Sequence, residues 1–557
     1  MNQIHFDTSE ICYQLGIRDA VFSPGSRNAP LSISFSRHPH LRTRVVVDER
    51  SAGFIALGIA QHTQRPVVLC CTSGTALLNY GPAIAEAYYS RTPLIIMSGD
   101  RPSEWIDQWD GQTIKQQNVF QAFVKAFIQM PTSLDFEDAR WAYQTKIAQG
   151  FHLATQSRRP VHLNFPFREP FYPDKNQKLA FSQDLKIIKS YPAKKQANCE
   201  GLIHDWAKAT KKIIVIGQGT LSEDCKNQLR RLASQGIPII ADIISNGHAL
   251  TDVIQHQDLF LKNRALQESL TPDLVLTFGR SIISKNLKLF LRKSAAIQWH
   301  IDPQPELQDP YQRLLGVIEG NPEQVLNKLI DPGQPSQVFA NHWQVAQRQT
   351  AKLLIQYQAP FSEFSAMQEV LKKVPRDIQI HLSNSMPVRY ANFLGIAPSK
   401  TRVWANRGTS GIDGSNGTAV GHALSSDQLS LLLTGDLSFL YDRNAFFHNE
   451  DLSHMRIVVF NNFGGGIFDL IPGPEALDPA EKDKFLTTPH QKDLSHSALD
   501  LGFDYQKCID SSELNAILIH FFEPSAKGKL LEIQTQHPIN KQVFQALKKI
   551  IYDYPFI

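Results

Sequence analysis

The sequence predicts an α/β protein built from three doubly wound parallel sheets. Short apolar runs with the length of buried strands alternate with stretches of helical periodicity, which is the pattern of β-α-β units. The alternation recurs in three successive segments, and 557 residues are enough for three or four domains. A Lys-rich polar passage at residues 172–201 and a Pro- and Gly-rich passage at 331–336 separate the segments. We therefore expect domains at residues 1–180, 181–338 and 339–557.

The apolar runs define the predicted strands. In the first segment these are residues 19–23, 44–48, 66–72, 94–98 and 160–165, with helical stretches at 51–61 and 77–90. In the second segment they are residues 212–216, 238–243, 274–278 and 295–301. In the third segment they are residues 378–382, 403–405, 429–433, 457–460 and 530–533. Polar residues that directly follow these strands are expected at the carboxyl edges of the sheets, where open α/β sheets bind ligands.

Composition excludes several classes of function. A net charge of +4 over 557 residues argues against a nucleic-acid-binding or membrane-surface protein. No signal peptide or membrane-spanning run is visible. The six cysteines lack metal-ligand spacing, and the adjacent Cys70 and Cys71 lie in an apolar run typical of a core strand. We expect a soluble, cytoplasmic protein in a reduced compartment, without membrane insertion.

The stretch at residues 435–472 contains the strongest candidate site. Asp436 follows the apolar run 429–433, and Asn462 follows the run 457–460. The two lie 462 − 436 = 26 residues apart, the length of one strand-helix-strand crossover, so both are expected at one sheet edge. A carboxylate, an amide oxygen and the backbone near Gly464 form an all-oxygen set suited to Mg²⁺. Because Mg²⁺ completes its octahedron with water and phosphate oxygens, this set implies a diphosphate ligand.

Glu49 and four arginines follow other predicted strands. A single glutamate between a strand and a helix is typical of a helix N-terminus, where it interacts favourably with the helix dipole. Arg27, Arg101, Arg389 and Arg407 occupy predicted loops beside the ligand-facing edges. Because arginine binds a carboxylate through two parallel hydrogen bonds, four such residues indicate substrates with several carboxylates.

These motifs together resemble the thiamine-diphosphate enzymes, and among them the 2-succinyl-5-enolpyruvyl-6-hydroxy-3-cyclohexene-1-carboxylate (SEPHCHC) synthase family. The resemblance is carried by Ser23-Pro-Gly-Ser-Arg27, Asp48-Glu-Arg-Ser-Ala-Gly53, Thr72-Ser-Gly-Thr-Ala76, Gly99-Asp-Arg-Pro102, Asn406-Arg-Gly-Thr-Ser-Gly-Ile-Asp-Gly414 and Asn461-Asn-Phe-Gly-Gly-Gly-Ile-Phe468. It covers both terminal domains and extends only loosely to the middle one. Leu437 stands where the family has glycine, and Asn286 stands where it often has arginine.

The resemblance implies a thiamine-diphosphate cofactor bound with Mg²⁺ or Mn²⁺. The implied metal ligands are Asp436, Asn462 and Gly464. The implied cofactor-binding residues are Glu49, Thr75, Gly411, Ile412, Gly435, Asp436, Leu437, Ser438, Asn462, Gly464, Gly465, Ile467 and Phe468. Glu49 would hydrogen-bond the aminopyrimidine ring and activate the cofactor, and Ile412 would keep the cofactor bent. In this family one cofactor contacts two neighbouring subunits, which implies a homodimer or homotetramer.

The resemblance also implies the reaction. In the family, 2-oxoglutarate is decarboxylated and the resulting succinyl carbanion equivalent adds to isochorismate, within menaquinone biosynthesis. The implied catalytic residues are Glu49, Arg27, Gln112, Arg389 and Arg407. The implied substrate-binding residues are Arg27, Arg101, Gln112, Lys285, Ser385, Arg389, Arg407, Phe468 and Ile471. Of these, Arg389 and Ser385 would hold the succinyl carboxylate, while Ile467, Phe468 and Ile471 would form an apolar wall.

Two alternatives stay open at the level of sequence. Another thiamine-diphosphate 2-oxoacid decarboxylase or carboligase would share the cofactor motifs but need fewer arginines. A non-enzymatic nucleotide-binding protein would use Gly217-Gln-Gly219, which follows a predicted strand. The dinucleotide fingerprint needs a third glycine at position 222, where this chain has Ser222, so a strand-to-helix turn is the favoured interpretation.

Overall fold

The computed structural model describes residues 1–175, 177–191, 197–330 and 333–556. In these residues the chain forms three sheets in which every paired strand is parallel. This confirms the predicted fold class. Residues 176 and 192–196 of the predicted linker, and residues 331 and 332 of the second predicted boundary, lie outside the described residues.

The first sheet has six strands in the order β2-β1-β3-β4-β6-β5. Its strands are β1 Asp19–Phe22, β2 Arg42–Val45, β3 Val67–Cys71, β4 Leu94–Asp100, β5 Phe127–Gln129 and β6 Val161–Pro166. Its helices are α1 Gln3–Phe6, α2 Thr8–Leu15, α3 Ala29–Ser36, α4 Glu49–Thr63, α5 Thr75–Asn79, α6 Gly81–Tyr89 and α7 Glu137–Ser157. Strands β3 and β4 are buried along their whole length, as expected for central parallel strands covered by helices on both faces.

The second sheet has five strands in the order β11-β10-β9-β7-β8. Its strands are β7 Lys212–Ile216, β8 Ile239–Ala241, β9 Leu274–Phe278, β10 Ile297–Asp302 and β11 Leu314–Glu319. Its helices are α8 Glu200–Lys208, α9 Glu223–Ser234, α10 Gln257–Phe260, α11 Arg264–Leu270, α12 Lys285–Lys293 and α13 Pro322–Asn327. Gly217 follows β7, and a Cβ there would lie 2.0 Å from the Arg280 carbonyl oxygen. Close packing of two loops therefore explains this glycine.

The third sheet repeats the topology of the first, with the order β13-β12-β14-β15-β17-β16. Its strands are β12 Gln379–Leu382, β13 Arg402–Trp404, β14 Ser430–Gly435, β15 Met455–Asn461, β16 Asp504–Cys508 and β17 Lys529–Gln534. Its helices are α14 Gln337–Gln356, α15 Glu363–Lys373, α16 Met386–Leu394, α17 Ser415–Ala423, α18 Asp436–Tyr441, α19 Pro479–Lys482, α20 Ser495–Asp500, α21 Ser511–Phe521 and α22 His537–Asp553. The carboxyl edges of the two terminal sheets are therefore built from strands in the same order.

The first and third domains meet where α4 crosses α17. A Cβ on Gly58 of α4 would lie 2.2 Å from the Thr418 carbonyl oxygen, and a Cβ on Gly421 of α17 would lie 2.2 Å from the Ile55 carbonyl oxygen. Two glycines therefore let the helix backbones touch. Because α4 begins at Glu49, this crossing fixes the position of Glu49 relative to the third domain.

The linker and the edge strands differ from the sequence expectation. Part of the passage 172–201 packs on the first domain: the Phe181 ring stacks on Phe6 at 4.6 Å, and Ser182 donates to Asp7. Helix α8 begins at Glu200, so the prediction that the linker extends to residue 201 is wrong at its end. Strands β5, β11 and β16 were not predicted. In the described residues no helix is long and apolar enough to cross a bilayer.

Candidate active site

A cavity of about 370 Å³ opens at the carboxyl edge of the third sheet. Strands β14 and β15 pair with Gly435 opposite Phe460, so Asp436 and Asn462 emerge side by side from neighbouring strands. The lining residues are Glu363, Asn384, Ser385, Met386, Pro387, Arg389, Arg407, Ser410, Ile412, Gly435, Asp436, Leu437, Ser438, Asn462, Gly464, Gly465, Gly466, Ile467, Phe468 and Ile471. The structure thus brings together the predicted site residues of the third domain apart from Gly411, which is one residue from the lining.

Asp436 is buried and held in one orientation. Its Oδ1 accepts a hydrogen bond from the Leu437 amide at 2.8 Å. Its Oδ2 accepts from the Gly464 amide at 2.9 Å and from His490 Nε2 at 3.0 Å. The nitrogen of Leu437 therefore contributes to the site, although leucine departs from the family pattern. His490 carries no motif that could have identified it in the sequence.

Asn462 is oriented by Glu363, which sequence reasoning missed. Its amide Nδ2 donates to Glu363 Oε1, while its Oδ1 is buried without a hydrogen-bond partner among the described residues. Burial of the Glu363 carboxyl raises its pKa from 4.5 to about 8; the Asp436 charge raises it further and the Asn462 hydrogen bond opposes the shift. In the sequence Glu363 is the first residue of a capped helix, a position where glutamate is common for local reasons.

These residues fit a divalent cation that shares a diphosphate. Within the described part of the chain, no cluster of three or more His, Cys, Asp or Glu side chains could hold a metal ion. The available set is one carboxylate, one free amide oxygen and the backbone at Gly464, which is a hard oxygen set that leaves room for phosphate and water. A Cβ on Gly435 would meet no atom within 4 Å, so the strand end also leaves space for a ligand.

Arg389 and Arg407 converge on the same cavity. Arg407 Nη1 donates to Asn384 Oδ1 at 2.7 Å, and its Nε is buried without a partner among the described residues. Arg389 lies on α16 and donates to the Ser385 carbonyl oxygen four residues earlier, so its predicted loop position is wrong. Burial lowers the pKa of both guanidinium groups, and the Arg407 charge lowers that of Arg389 further. In the described residues neither arginine forms a salt bridge.

The cavity wall also contains the predicted apolar residues. Ile412 and Ile471 are 40% and 39% exposed. Ile467 and Phe468 lie in the short 3₁₀ turn Gly466–Asp469, and Ile471 follows this turn. Ser438 Oγ donates to the Ile412 carbonyl oxygen at 2.7 Å, which ties the Ile412 loop to α18. Apolar side chains that remain accessible beside a polar edge provide a surface for an organic ring.

The predicted residues of the first domain lie at its own sheet edge. Arg27 donates to the Phe167 carbonyl oxygen and stacks on Phe171, with its Cζ 4.5 Å from the ring centroid. Arg101 pairs with Asp110 at 2.6 Å and donates to Ser73 Oγ at 2.7 Å. The backbone of Gln112 lies within 3.3 Å of the position of a Cβ on Gly74. Thr75, the first residue of α5, directly follows Gly74. These residues make up the second half of the predicted site, and the charges of Arg27 and Arg101 make this half-site basic.

Glu49 belongs to this second half and lies outside the cavity of the third domain. Burial raises its pKa, and the charge of Asp48 contributes, while a hydrogen bond from Asn79 opposes the shift. Lys285 is the exposed first residue of α12 and likewise does not line the cavity. Its neighbours Ser284 and Asn286 donate to Asp258, which places Asn286 in a structural role. Within one described chain, Glu49 is therefore not part of the cavity that contains Asp436 and Asn462.

The first and third sheets have the same strand order, with the partly buried Glu49 beyond the edge of one and the Asp436 and Asn462 pair at the edge of the other. This is the arrangement expected of a thiamine-diphosphate-dependent enzyme. The family model "Thiamine pyrophosphate enzyme, N-terminal TPP binding domain" matches residues 7–124, and "Middle domain of thiamine pyrophosphate" matches residues 182–382. Benzoylformate decarboxylase from Polynucleobacter necessarius has a similar structure, with a TM-score of 0.69 at 16% identity over 96% of this chain and 99% of that chain. That likeness shows the fold.

Curated relatives define the family more narrowly. The chain is 42% identical to the SEPHCHC synthase of Cytophaga hutchinsonii over 99% of both chains. It is 35% identical to the SEPHCHC synthase of Porphyromonas gingivalis over 95% of this chain and 94% of that one. It is 36% identical to that of Flavobacterium psychrophilum over 96% of both. This chain belongs to the SEPHCHC synthase family, which consists of transferases among the thiamine-diphosphate enzymes.

Proposed function

We propose that this chain decarboxylates 2-oxoglutarate and joins the succinyl unit to isochorismate, giving SEPHCHC and CO₂ in menaquinone biosynthesis. The observation that carries the proposal is the pair of arginines in the cavity of the third domain. Arg389 and Arg407 are desolvated, repel each other and form no salt bridge among the described residues. Two such cations are stabilised by an anion bound between them, and a carboxylate matches the guanidinium geometry.

Thiamine diphosphate with Mg²⁺ (or Mn²⁺) is the proposed cofactor pair at the adjacent edge. Asp436, Asn462 and the Gly464 backbone would hold the metal, and the metal would hold the diphosphate. When bound, the cofactor supplies the nucleophilic carbon and the electron sink for decarboxylation. Ile412 and Phe468 would exclude water from the reacting carbons. Glu49, with its raised pKa, would hold a proton at the pyrimidine ring.

The proposed active unit is a homodimer or a homotetramer. Glu49 lies outside the cavity that contains Asp436 and Asn462, so one cofactor reaches both halves when a second copy supplies one of them. The surface beside Glu49 supports this arrangement, because Val45 and Val47 are each 55% exposed, and Tyr441 of the third domain, whose ring lies under Arg50, is 52% exposed. Exposed apolar side chains of this kind mark interaction surfaces. The small polar metabolites involved make the cytoplasm the proposed location.

The proposed reaction balances without a further reactant. The C1–C2 bond of 2-oxoglutarate breaks and releases CO₂. The electron pair of that bond forms the new carbon–carbon bond to the isochorismate ring, and the ring takes up one proton. Arg389 and Ser385 would bind the remote carboxylate of 2-oxoglutarate, while Arg27, Arg101 and Gln112 would bind isochorismate from the other half-site. Lys285, which begins α12 beside Asp258, would contribute a cation for a substrate carboxylate from the middle domain.

Steady-state kinetics of Arg389→Ala test the proposal. We expect KM for 2-oxoglutarate to rise about 10- to 100-fold, the worth of a charge-assisted hydrogen-bond pair. Arg348→Ala, on the exposed face of α14, is the matched control and should leave KM unchanged. Equal KM values for the wild type, Arg389→Ala and Arg348→Ala would exclude Arg389 from the substrate site. Turnover of pyruvate that is unaffected by Arg389→Ala, without turnover of 2-oxoglutarate, would instead indicate another carboligase.

A further inference from the structure

All three domains contact the loop of residues 405–412, which carries Arg407 and Ile412. From the middle domain, Gln218 Nε2 donates to the Ala405 carbonyl oxygen at 2.8 Å, and Ser281 Oγ donates to the Arg407 carbonyl oxygen at 3.4 Å. From the third domain, Asn384 Nδ2 donates to the Asn406 and Gly411 carbonyl oxygens at 2.7 and 2.6 Å. The contact from the first domain is of a different chemical kind.

That contact is made by Glu86, a buried carboxylate on α6 with 1% of its surface exposed. Its Oε1 accepts a hydrogen bond from the Gly408 amide at 2.8 Å. Its Oε2 accepts from the Thr409 amide at 2.7 Å and from Thr409 Oγ1 at 2.9 Å. Three donors from two consecutive residues therefore point at one side chain of another domain.

The geometry of this contact requires a carboxylate at position 86 and a glycine at position 408. All three partners are donors, so an amide at position 86 would turn an N–H group toward at least one of them. Burial raises the pKa of Glu86, while its hydrogen bonds to residues 408 and 409 and the Arg407 charge lower it. A Cβ on Gly408 would lie 2.7 Å from the Glu86 carbonyl oxygen, so the loop lies as close to α6 as backbone permits. Buried charges are retained in this way when they are fully paired.

The hydrogen bonds of Glu86 fall on the two residues that directly follow Arg407. The guanidinium is held at its other end by Asn384 Oδ1 at 2.7 Å, so its direction depends on the backbone at residues 407–409. Without Glu86, the amides of Gly408 and Thr409 would lose their acceptor. Among the described contacts of these two residues, no other hydrogen bond joins them to the first domain. A shift of about 1 Å in a substrate-binding group is enough to lower activity about 100-fold.

We propose that Glu86 is a positioning residue of the reaction: it fixes Gly408 and Thr409 from the first domain so that Arg407 points into the substrate cavity. This inference rests on the proposed role of Arg407 in binding a substrate carboxylate. It assigns to α6 a function in the active site although α6 lies in another domain of the same chain and Glu86 does not line the cavity.

A double-mutant cycle separates positioning from general stabilisation. Glu86→Ala, Arg407→Ala and the double variant are assayed for kcat and for the KM of each substrate. We expect Glu86→Ala to lower kcat/KM about 10- to 100-fold, mainly through KM, and to have less than about a threefold effect when Arg407 is already alanine. Equal effects of Glu86→Ala in both backgrounds would overturn the proposal, because Glu86 would then act independently of Arg407.

Two further variants keep the test decisive if Glu86→Ala does not fold. Thr409→Val removes only the Oγ1 hydrogen bond, and Glu86→Gln retains one good acceptor; both should show smaller losses that again disappear beside Arg407→Ala. Hydrogen exchange gives an activity-independent readout: amides of residues 408 and 409 should exchange faster in Glu86→Gln, while amides of β7 should not. Unchanged exchange would contradict the proposal that Glu86 fixes the backbone of residues 408 and 409. If Arg407→Ala has wild-type kinetics while Glu86→Gln still speeds exchange at residues 408 and 409, the proposed role of Arg407 is refuted, but the hydrogen bonds from Glu86 still fix this backbone.

Discussion

Replacing Gly58 by alanine tests the helix crossing that joins the two terminal domains. The new Cβ would lie 2.2 Å from the Thr418 carbonyl oxygen and 3.0 Å from the Gly421 Cα. An ordinary carbon–oxygen contact is about 3.3 Å, so α4 and α17 must separate by about 1 Å. Alanine gains up to about 1 kcal/mol in helix propensity, whereas overpacking costs about 1–3 kcal/mol. Because a backbone carbonyl cannot rotate away, we expect net destabilisation.

The assay is the midpoint of thermal unfolding, with Gly81→Ala as the matched control. Gly81 is also helical, and the atom nearest to a Cβ there is Phe120 Cε1 at an ordinary 3.8 Å. The control should be neutral or slightly stabilised, while Gly58→Ala should unfold at a lower temperature. Gly421→Ala should resemble Gly58→Ala, and the double variant should lose less than the sum, because one separation relieves both contacts. Equal midpoints for Gly58→Ala and Gly81→Ala would refute the close crossing.

Three further predictions concern the site and its surroundings. Glu49→Gln should bind thiamine diphosphate and Mg²⁺ by calorimetry but turn over about 10²- to 10⁴-fold more slowly, because it cannot exchange a proton with the cofactor; wild-type turnover would exclude that role. Asn462→Leu removes the free amide oxygen and should weaken Mn²⁺ binding in the presence of thiamine diphosphate, measured by electron paramagnetic resonance, whereas Asn444→Leu, away from the cavity, should not. Burial raises the pKa of Asp442 from 3.8 to about 7, so between pH 4 and 7 the folded state holds a proton that the unfolded state releases. The free energy of unfolding of the wild type should therefore fall by about 1.4 kcal/mol per pH unit over that range. The unfolding midpoint of Asp442→Asn relative to wild type should rise from pH 4 to 7 and level off above pH 7, and a constant difference would contradict this prediction.

The arrangement of Asp436 and Asn462 could be predicted because it depends on local sequence. Each follows an apolar run long enough to be a central strand, and two central parallel strands joined by one crossover end at the same edge. The edge strands β5, β11 and β16 could not be predicted in this way. They are only partly buried and alternate irregularly, so the apolar signal on which strand prediction depends is weak.

The residues that support the site escaped prediction for a different reason. Glu363 reaches Asn462 across 99 residues of sequence, and Glu86 reaches Thr409 across 323. Their local sequence is that of ordinary helix residues, and only tertiary packing shows what the carboxylates contact. Arg389 illustrates the opposite error, since its predicted loop is the start of α16, with Pro387 in the first turn where proline is compatible with a helix.

Release of ¹⁴CO₂ from [1-¹⁴C]2-oxoglutarate, with thiamine diphosphate and Mg²⁺, tests the central claim most directly. We predict that isochorismate accelerates the release and is consumed in equal amount, because both substrates are needed for one turnover. Release at the same rate without isochorismate would leave a simple decarboxylase, and the basic half-site around Arg27 and Arg101 would need another acceptor. No release from 2-oxoglutarate, with pyruvate turned over instead, would contradict the proposed reaction.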